Sequence, residues 1–266
     1  MANHKLFNQK KCKVVSNSCK NKIFSMMSFY NFPYVLSGVL IDHNEYEKDL
    51  GVYIHERLSW SLQQNDLLAK AIQRFNLLRR TCHFVKNKSH KITLYLSMVH
   101  SLFEHCGCIW APVSTTTLDK FKSIQKRAVK WIFCEQFYSY SEAYYMQKLI
   151  DLDILPMAQR FVQNDMILFF KILKGITPID LPSYVTIRTD TRNATNCITY
   201  GIENEIGHSY FPRSTASWNS LHPNIKASAT LATFEKALKS HLWDIALSDF
   251  EPDSDSSWES SDIEPD

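Results

Sequence analysis

Residues 61–80 read SLQQNDLLAKAIQRFNLLRR, and this stretch decides the fold class. Leu68, Ile72, Phe75 and Leu78 recur at helical spacing and predict the inward face of a helix over about 62–84. The segment contains no proline or glycine, which would interrupt such a helix. A mainly α protein is therefore the starting expectation.

Helical spacing continues on the C-terminal side of this segment. After a break at residues 87–89, an apolar seam with steps of four, three, four and three residues runs through Ile92, Leu96, Val99, Phe103 and Cys106. A further helix begins near Pro112, with its inward positions at Leu118, Phe121, Ile124, Ala128 and Trp131. Helices are also predicted at 141–150, 157–174 and 230–247, whereas 177–224 should be irregular with a short strand or two.

Short apolar runs precede the first helix. We expect Tyr34–Leu40 and Leu50–Ile54, separated by a polar turn at 42–45, to pair as a small antiparallel sheet, and residues 11–15 to form another strand. The fold class is thus mainly α (α+β), with a small N-terminal antiparallel sheet, a helical bundle and a looser C-terminal extension. The predicted parts are 1–60, 61–135, 136–248 and a disordered acidic tail at 249–266.

Charge is divided unevenly along the chain. Residues 249–266 hold eight of the 27 acidic side chains and no Lys or Arg, so 19 acidic and 30 basic residues remain before them. The tail is either a solubilising segment, a partner-binding segment or an internal competitor for the basic surface. No apolar run approaches the ~20 residues of a membrane helix, and no secretory signal is evident, so an intracellular location is expected, with nucleus and cytoplasm not distinguished.

No catalytic, metal or cofactor site is predicted. The seven cysteines are odd in number and irregularly spaced, which favours reduced thiols over a disulfide scaffold. Cys82-His83 and His105-Cys106-Gly107-Cys108 are the candidate zinc ligands. Because Cys106 and Cys108 have one residue between them inside an apparent helix, their side chains should diverge, and packed core thiols are the preferred interpretation.

A series of short motifs, each weak by itself, follows in a shared order. The series includes Lys48-Asp49-Leu50-Gly51-Val52, Leu77-Leu78-Arg79-Arg80, Trp110-Ala111-Pro112, Ile124-Gln125-Lys126-Arg127, Phe211-x-Arg213, Trp218-Asn219-x-Leu221 and Phe234-Glu235. Over roughly residues 9–243 the chain resembles the post-palm, thumb and C-terminal extension of jockey-like non-long-terminal-repeat retrotransposon (LINE) reverse transcriptases. One departure is His222, which stands where that family runs directly into proline.

The resemblance implies a helical thumb that holds template and primer within an RNA-directed DNA polymerase. That chemistry needs carboxylates holding two metal ions, but no two aspartates are adjacent in this sequence. The family's Tyr-x-Asp-Asp turn is expected upstream of Met1. The resemblance therefore indicates a truncated reverse transcriptase that does not polymerise alone and retains at most a hold on RNA or an RNA–DNA hybrid. A protein-interaction module using residues 249–266, or a decaying copy without activity, are the alternatives.

Basic residues supply the candidate binding surface. Lysines four apart repel one another on a free helix, and a phosphate backbone would offset that repulsion. Solvated helix faces are the plainer explanation. Phe75, Phe84 and Trp131 could stack on bases but are expected to fill the core. The predicted nucleic-acid-binding residues are Lys70, Arg74, Arg79, Arg80, Lys86, Lys88, Lys120, Lys122, Lys126, Arg127 and Lys130.

Overall fold

The computed structural model describes residues 12–16, 33–134, 141–187, 197–199 and 209–248. Its architecture is mainly α with small antiparallel sheets, which confirms the predicted fold class. The acidic tail at 249–266 lies outside the described residues. Of the predicted strand at 11–15, the described part contributes an isolated bridge between Val14 and His43.

Two hairpins form the N-terminal strands. β1 (Val35–Leu36) pairs with β2 (Val39–Leu40), and β3 (Tyr46–Asp49) pairs with β4 (Val52–His55). The prediction that the run at 34–40 pairs with the run at 50–54 is wrong, since each run belongs to a hairpin of its own.

The turns explain this pairing. Ser37-Gly38 has φ values of +50° and +82°, and Leu50-Gly51 has φ values of +46° and +90°. Positive φ at both central residues closes a tight two-residue hairpin whose twist matches that of its strands. Glycine at the second position adopts this positive φ without steric cost. Each turn therefore pairs the two strands on either side of it, and the two apolar runs do not pair with each other.

α1 (Ser61–Thr81) confirms the predicted first helix and ends three residues earlier than expected. Leu68, Phe75 and Leu78 are buried as predicted, but Ile72 is 38% exposed and Ala71 takes the central inward position. Near the start of the helix, the buried Gln63 accepts a hydrogen bond at its Oε1 from the backbone N–H of Tyr53 (2.9 Å). This contact joins α1 to β4.

The seam predicted after residue 90 is not one regular helix. α2 (Lys88–Tyr95) leads into a π-helical turn (Leu96–His100), followed by the short helices α3 (Ser101–Glu104) and α4 (Gly107–Trp110). Val99 and Phe103 are buried as predicted, whereas Leu96 is 37% exposed and Tyr95 takes the inward position beside it.

α5 (Thr115–Phe133), α6 (Glu142–Asp151) and α7 (Met157–Leu173) match three predicted helices closely. Gln125 of α5 is fully buried and hydrogen-bonds to α6, to α7 and to the segment that joins them. Its Nε2 donates to the carbonyl of Leu155 (2.9 Å), and its Oε1 accepts from Tyr145 Oη (2.8 Å) and from the N–H of Met157 (3.1 Å).

The described residues of the C-terminal part contain a helix that the sequence did not predict. β5 (Val185–Ile187) pairs with β6 (Cys197–Thr199), and these strands are followed by α8 (Tyr210–Ser220), α9 (Pro223–Lys226) and α10 (Leu231–Ser248). The expectation of irregular structure over 177–224 missed α8.

Aromatic packing and one ion pair hold α8 in place. Phe170 of α7 stacks on Phe234 of α10 with ring centroids 4.2 Å apart, and Trp218 of α8 packs beside them. Arg213 also forms a bidentate ion pair with the buried Asp165 of α7, with distances of 2.7 and 3.2 Å. These contacts with residues distant in sequence stabilise α8 as a helix, although its local sequence does not predict one.

The chain divides into two compact units. The first comprises the described residues of Met1–Lys86 and Thr93–Lys120; the second comprises those of Asn87–Ile92 and Phe121–Asp266. The first thus contains α1 and the start of α5, and the second contains the rest of α5 and the core of α7, α8 and α10. None of the helices in the described residues has the length and apolarity needed to span a membrane.

Candidate nucleic-acid interface

Two arginines at the end of α1 face solvent. Arg79 and Arg80 lie in the last turn, where positive charge interacts favourably with the carbonyl end of a helix. With Asn76 they line an open depression of about 480 Å³. Neither guanidinium makes an ion pair with any residue that the structure describes. Their N–H groups are therefore accessible to a ligand.

The turn that follows α1 adds an exposed ring and another lysine. Phe84 is 70% exposed, so the expectation that it fills the core is wrong. The ring of His83 lies edge-on to it (centroids 5.7 Å apart), and His83 Nδ1 lies 3.0 Å from the carbonyl oxygen of Arg80. Lys86 is also exposed. We call Arg79, Arg80, Phe84 and Lys86 the α1-end cluster.

The basic residues in the middle of α1 are held by neighbouring groups. Lys70 Nζ lies 2.5 Å from Asp66 Oδ2, and the hydrogen bond to that carboxylate raises the pKa of Lys70. Lys48 lies 3.9 Å from the same oxygen. Arg74 Nη1 donates to the carbonyl of Met98 (3.1 Å). Asp66 thus offsets part of the positive charge on this side of the helix.

A single carboxylate on α6 holds two lysines of α5. Both Lys122 and Lys126 form ion pairs with Glu142, one to each carboxylate oxygen. Burial opposes ionisation of Glu142, but the two lysine hydrogen bonds outweigh burial and its pKa lies below the usual value. Lys126 Nζ also lies 5.2 Å above the ring of Tyr145. We call Lys122 and Lys126 the α5 lysine stripe; through Glu142 it contributes to packing between α5 and α6.

The remaining predicted residues are also engaged. Lys88 Nζ lies 4.4 Å above the ring of Phe133. Lys120, Arg127 and Lys130 each take part in at least one polar or electrostatic interaction within the structure. Of the other two aromatic rings expected to fill the core, Phe75 is buried as predicted, whereas Trp131 is only half-buried.

Sequence reasoning missed Glu142 and Asp66 as the acids that engage the lysines. Asp66 is one turn before Lys70, so the spacing of four residues was a usable signal. Glu142 lies sixteen residues after Lys126, just past the Ser141 that caps α6 by accepting from the N–H of Tyr144 (3.2 Å). Only the packing of α6 against α5 brings Glu142 to the stripe.

The cysteines considered as zinc ligands, Cys82, Cys106 and Cys108, lie within the described residues. Among the described residues, no three His, Cys, Asp or Glu side chains lie together in a way that could hold a metal ion. Cys106 has φ of +53° and separates α3 from α4, so the expectation that it shares one helix with Cys108 is wrong. Both thiols are half-buried, and Cys106 Sγ lies 3.7 Å from Nε2 of His105.

The α1-end cluster combines guanidinium donors, an ammonium group and an exposed ring. Surfaces that hold a nucleic-acid strand use this combination, with cations along the backbone and rings against bases. Comparisons of the chain with models of known protein families, with curated proteins and with solved structures find no match.

Proposed function

We propose that this chain is a reverse transcriptase-like protein of retrotransposon origin, and that these 266 residues bind the backbone of RNA or of an RNA–DNA hybrid and do not polymerise by themselves. The observation that carries the binding proposal is the pair of exposed guanidinium groups, Arg79 and Arg80, beside an open depression and outside any ion pair with a described residue. The origin is supported by the ordered motifs over residues 9–243.

Arginine is suited to phosphate recognition because its planar fork donates two parallel hydrogen bonds to one phosphate. Each phosphate that is neutralised releases condensed counterions, which makes binding weaken as salt concentration rises. An A-form duplex presents mainly backbone and 2′-hydroxyl groups, so cations at the end of α1 suit its outer surface. Phe84 would stack on an unpaired base at the end of such a duplex.

The proposal that these 266 residues do not polymerise by themselves is supported by their composition. The family's reaction requires carboxylates that hold two metal ions, and no adjacent aspartates occur in the 266 residues. The proposed role is therefore to hold a strand.

Fluorescence anisotropy with a labelled RNA–DNA hybrid across a salt series tests the proposal. The variant Arg79→Gln/Arg80→Gln should bind more weakly, and its salt slope should fall by roughly two, about one for each lost phosphate contact. The matched control is Lys171→Gln/Lys236→Gln, which removes the same charge from α7 and α10. Equal losses in both variants would show attraction by net charge alone and would overturn the proposal, as would no binding by the natural chain.

A second measurement isolates the ring. Phe84→Ala should weaken binding to a hybrid with a single-stranded RNA overhang by about 1 kcal/mol or more and leave a blunt hybrid unaffected. Phe84→Tyr is the control, because it retains a stacking face. Equal weakening on both substrates would contradict the stacking role of Phe84.

A further inference from the structure

Lys91 is an unusual lysine because its side chain lies inside the protein. The residue is only 3% exposed, whereas lysines are among the side chains least often fully buried. Its Nζ donates to the carbonyl oxygen of Trp131 (2.7 Å), lies 3.0 Å from Sγ of Cys134, and sits 5.1 Å from the centre of the Trp131 ring. Its amine is thus fixed against a sulfur atom.

The start of α2 and the end of α5 bring Lys91 Nζ and Cys134 Sγ together. Asn87 caps α2, accepting at Oδ1 from the N–H groups of Ser89 (2.8 Å) and His90 (3.4 Å), so Lys91 occupies the first turn. Cys134 follows the last residue of α5 with φ of +59°, and its N–H donates to the Trp131 carbonyl (3.3 Å). The same carbonyl therefore holds Lys91 and positions Cys134. All these residues belong to the second unit.

Cys134 differs from the other thiols in access and in neighbour. It is exposed, whereas Cys197 is buried and its pKa is raised to about 11 by burial. Cys82 also lies at the end of a helix and is half-buried, but its sulfur lies 3.6 Å from the hydroxyl of Thr81. Cys134 thus combines solvent access with an amine in direct contact.

We propose that Cys134 and Lys91 form an oxidative modification site at which a hydroperoxide drives a covalent sulfur–nitrogen cross-link. In the first step the Cys134 thiol attacks the peroxide, yielding Cys134 sulfenic acid and the corresponding alcohol, or water from hydrogen peroxide. In the second step Lys91 Nζ attacks the sulfenyl sulfur. The S–O bond breaks, water leaves, and the lysine ammonium releases one proton besides the one carried off in the water. The product is a sulfenamide.

Geometry favours this second step over further oxidation. Sulfenic acids condense with a nearby thiol or nitrogen when one is available. Holding the two reacting atoms near contact distance replaces a bimolecular encounter with a reaction inside the protein. Two equivalents of an external thiol reverse the link by restoring the Cys134 thiol and the Lys91 amine and leaving a disulfide. The cross-link joins the start of α2 to the end of α5 and is independent of the nucleic-acid proposal.

Mass spectrometry of the full chain, treated with hydrogen peroxide and digested without reductant, tests this proposal. The expected product is a peptide pair joining Lys91 to Cys134 with two hydrogen atoms fewer than the separate peptides, which disappears after dithiothreitol. Trypsin should fail to cleave at Lys91 in that product. Dimedone present during oxidation should label Cys134 roughly tenfold less than Cys82, because the neighbouring amine consumes the sulfenic acid.

Lys91→Arg is the conservative variant, since guanidinium retains the charge and the donors but does not form the cross-link. In it, dimedone labelling of Cys134 should rise to the level of Cys82 or above. Two results on the natural chain would overturn the proposal. One is oxidation of Cys134 to sulfinic acid, and the other is dimedone labelling of Cys134 as complete as that of Cys82. Both results are measured on the natural chain, so the test stands even if the variant does not fold.

Discussion

The end of α1 and the middle of α5 carry similar runs of positive charge but differ in the groups that surround that charge. On α5, Lys122 and Lys126 are both held by Glu142 from α6, so a carboxylate of the protein itself offsets their repulsion. At the end of α1, Arg79 and Arg80 lie in the last turn and face solvent. The pattern of basic residues on a helix therefore does not show whether their charge is paired within the protein or open to solvent. The position of the nearest acidic side chain determines which of the two applies.

The largest expected effect concerns the inner face of α5. Gln125→Leu would leave the Leu155 carbonyl, the Tyr145 hydroxyl and the Met157 N–H without their buried partner. Each unsatisfied buried group costs about 1–3 kcal/mol, so we expect a loss of about 3 kcal/mol or more in the free energy of unfolding, measured with urea. Gln147→Leu on the exposed side of α6 is the control. A similar cost in both variants would contradict the central role of Gln125.

Removing the carboxylate of Glu142 should leave Lys122 and Lys126 without their ion pair, as Arg79 and Arg80 of the α1-end cluster are with respect to the described residues. Glu142→Gln should lower stability by about 1 kcal/mol at pH 7, a small value because the pair is partly solvated. Since the folded-state pKa of Glu142 is depressed, its contribution is present at neutral pH and is lost as pH falls below about 4.3, the usual glutamate value. The stabilities of the variant and the natural chain should therefore converge as the pH falls through the lowered pKa of Glu142, which chemical denaturation across pH would reveal.

The same variant should gain affinity for an RNA–DNA hybrid at low salt, because Lys122 and Lys126 would be released. Glu235→Gln removes the same charge from α10 and serves as the control. Equal gains in the two variants would show that net charge, and not the release of these lysines, governs binding.

The smallest expected effect is on stability at the end of α1. Arg79→Gln/Arg80→Gln should change the free energy of unfolding by only about 0.5 kcal/mol, the contribution of cations near a helix C-terminus. Thermal unfolding should therefore be nearly unchanged while hybrid binding falls. A loss of several kcal/mol would show that these arginines are structural.

Local sequence patterns predicted most of the helices but not their contacts. The helices at 61–81, 142–151, 157–173 and 231–248 were visible because their apolar spacing is regular and their ends carry clear breaks. α8 was missed because its stability comes from Trp218 in the aromatic core and from Arg213 on Asp165, which are distant in sequence. Polar-looking segments of this kind become helical through tertiary contacts.

The sequence indicated which basic residues belong to the candidate site, but not which of them lie beside an acidic partner. The density of Lys and Arg between residues 62 and 90 made Arg79 and Arg80 candidates. It could not distinguish them from Lys122 and Lys126, because the fold places Glu142 beside those two lysines. Phe84 was assigned to the core from its apolar character, although it lies beyond the end of α1, where the helical inward face no longer applies. Lys91 gave no sequence signal, since burial of a lysine depends on the partners that surround it.

The π-helical turn at Leu96–His100 makes the burial of the residues after it depend on the number of residues in this stretch. A wide turn takes up one more residue than a regular turn, and each residue of a regular helix rotates the chain by about 100°. Shortening this stretch by one residue would swing Phe103 away from the interior that Val99 still faces. Insertions and deletions are therefore more severe here than exchanges of one apolar side chain for another.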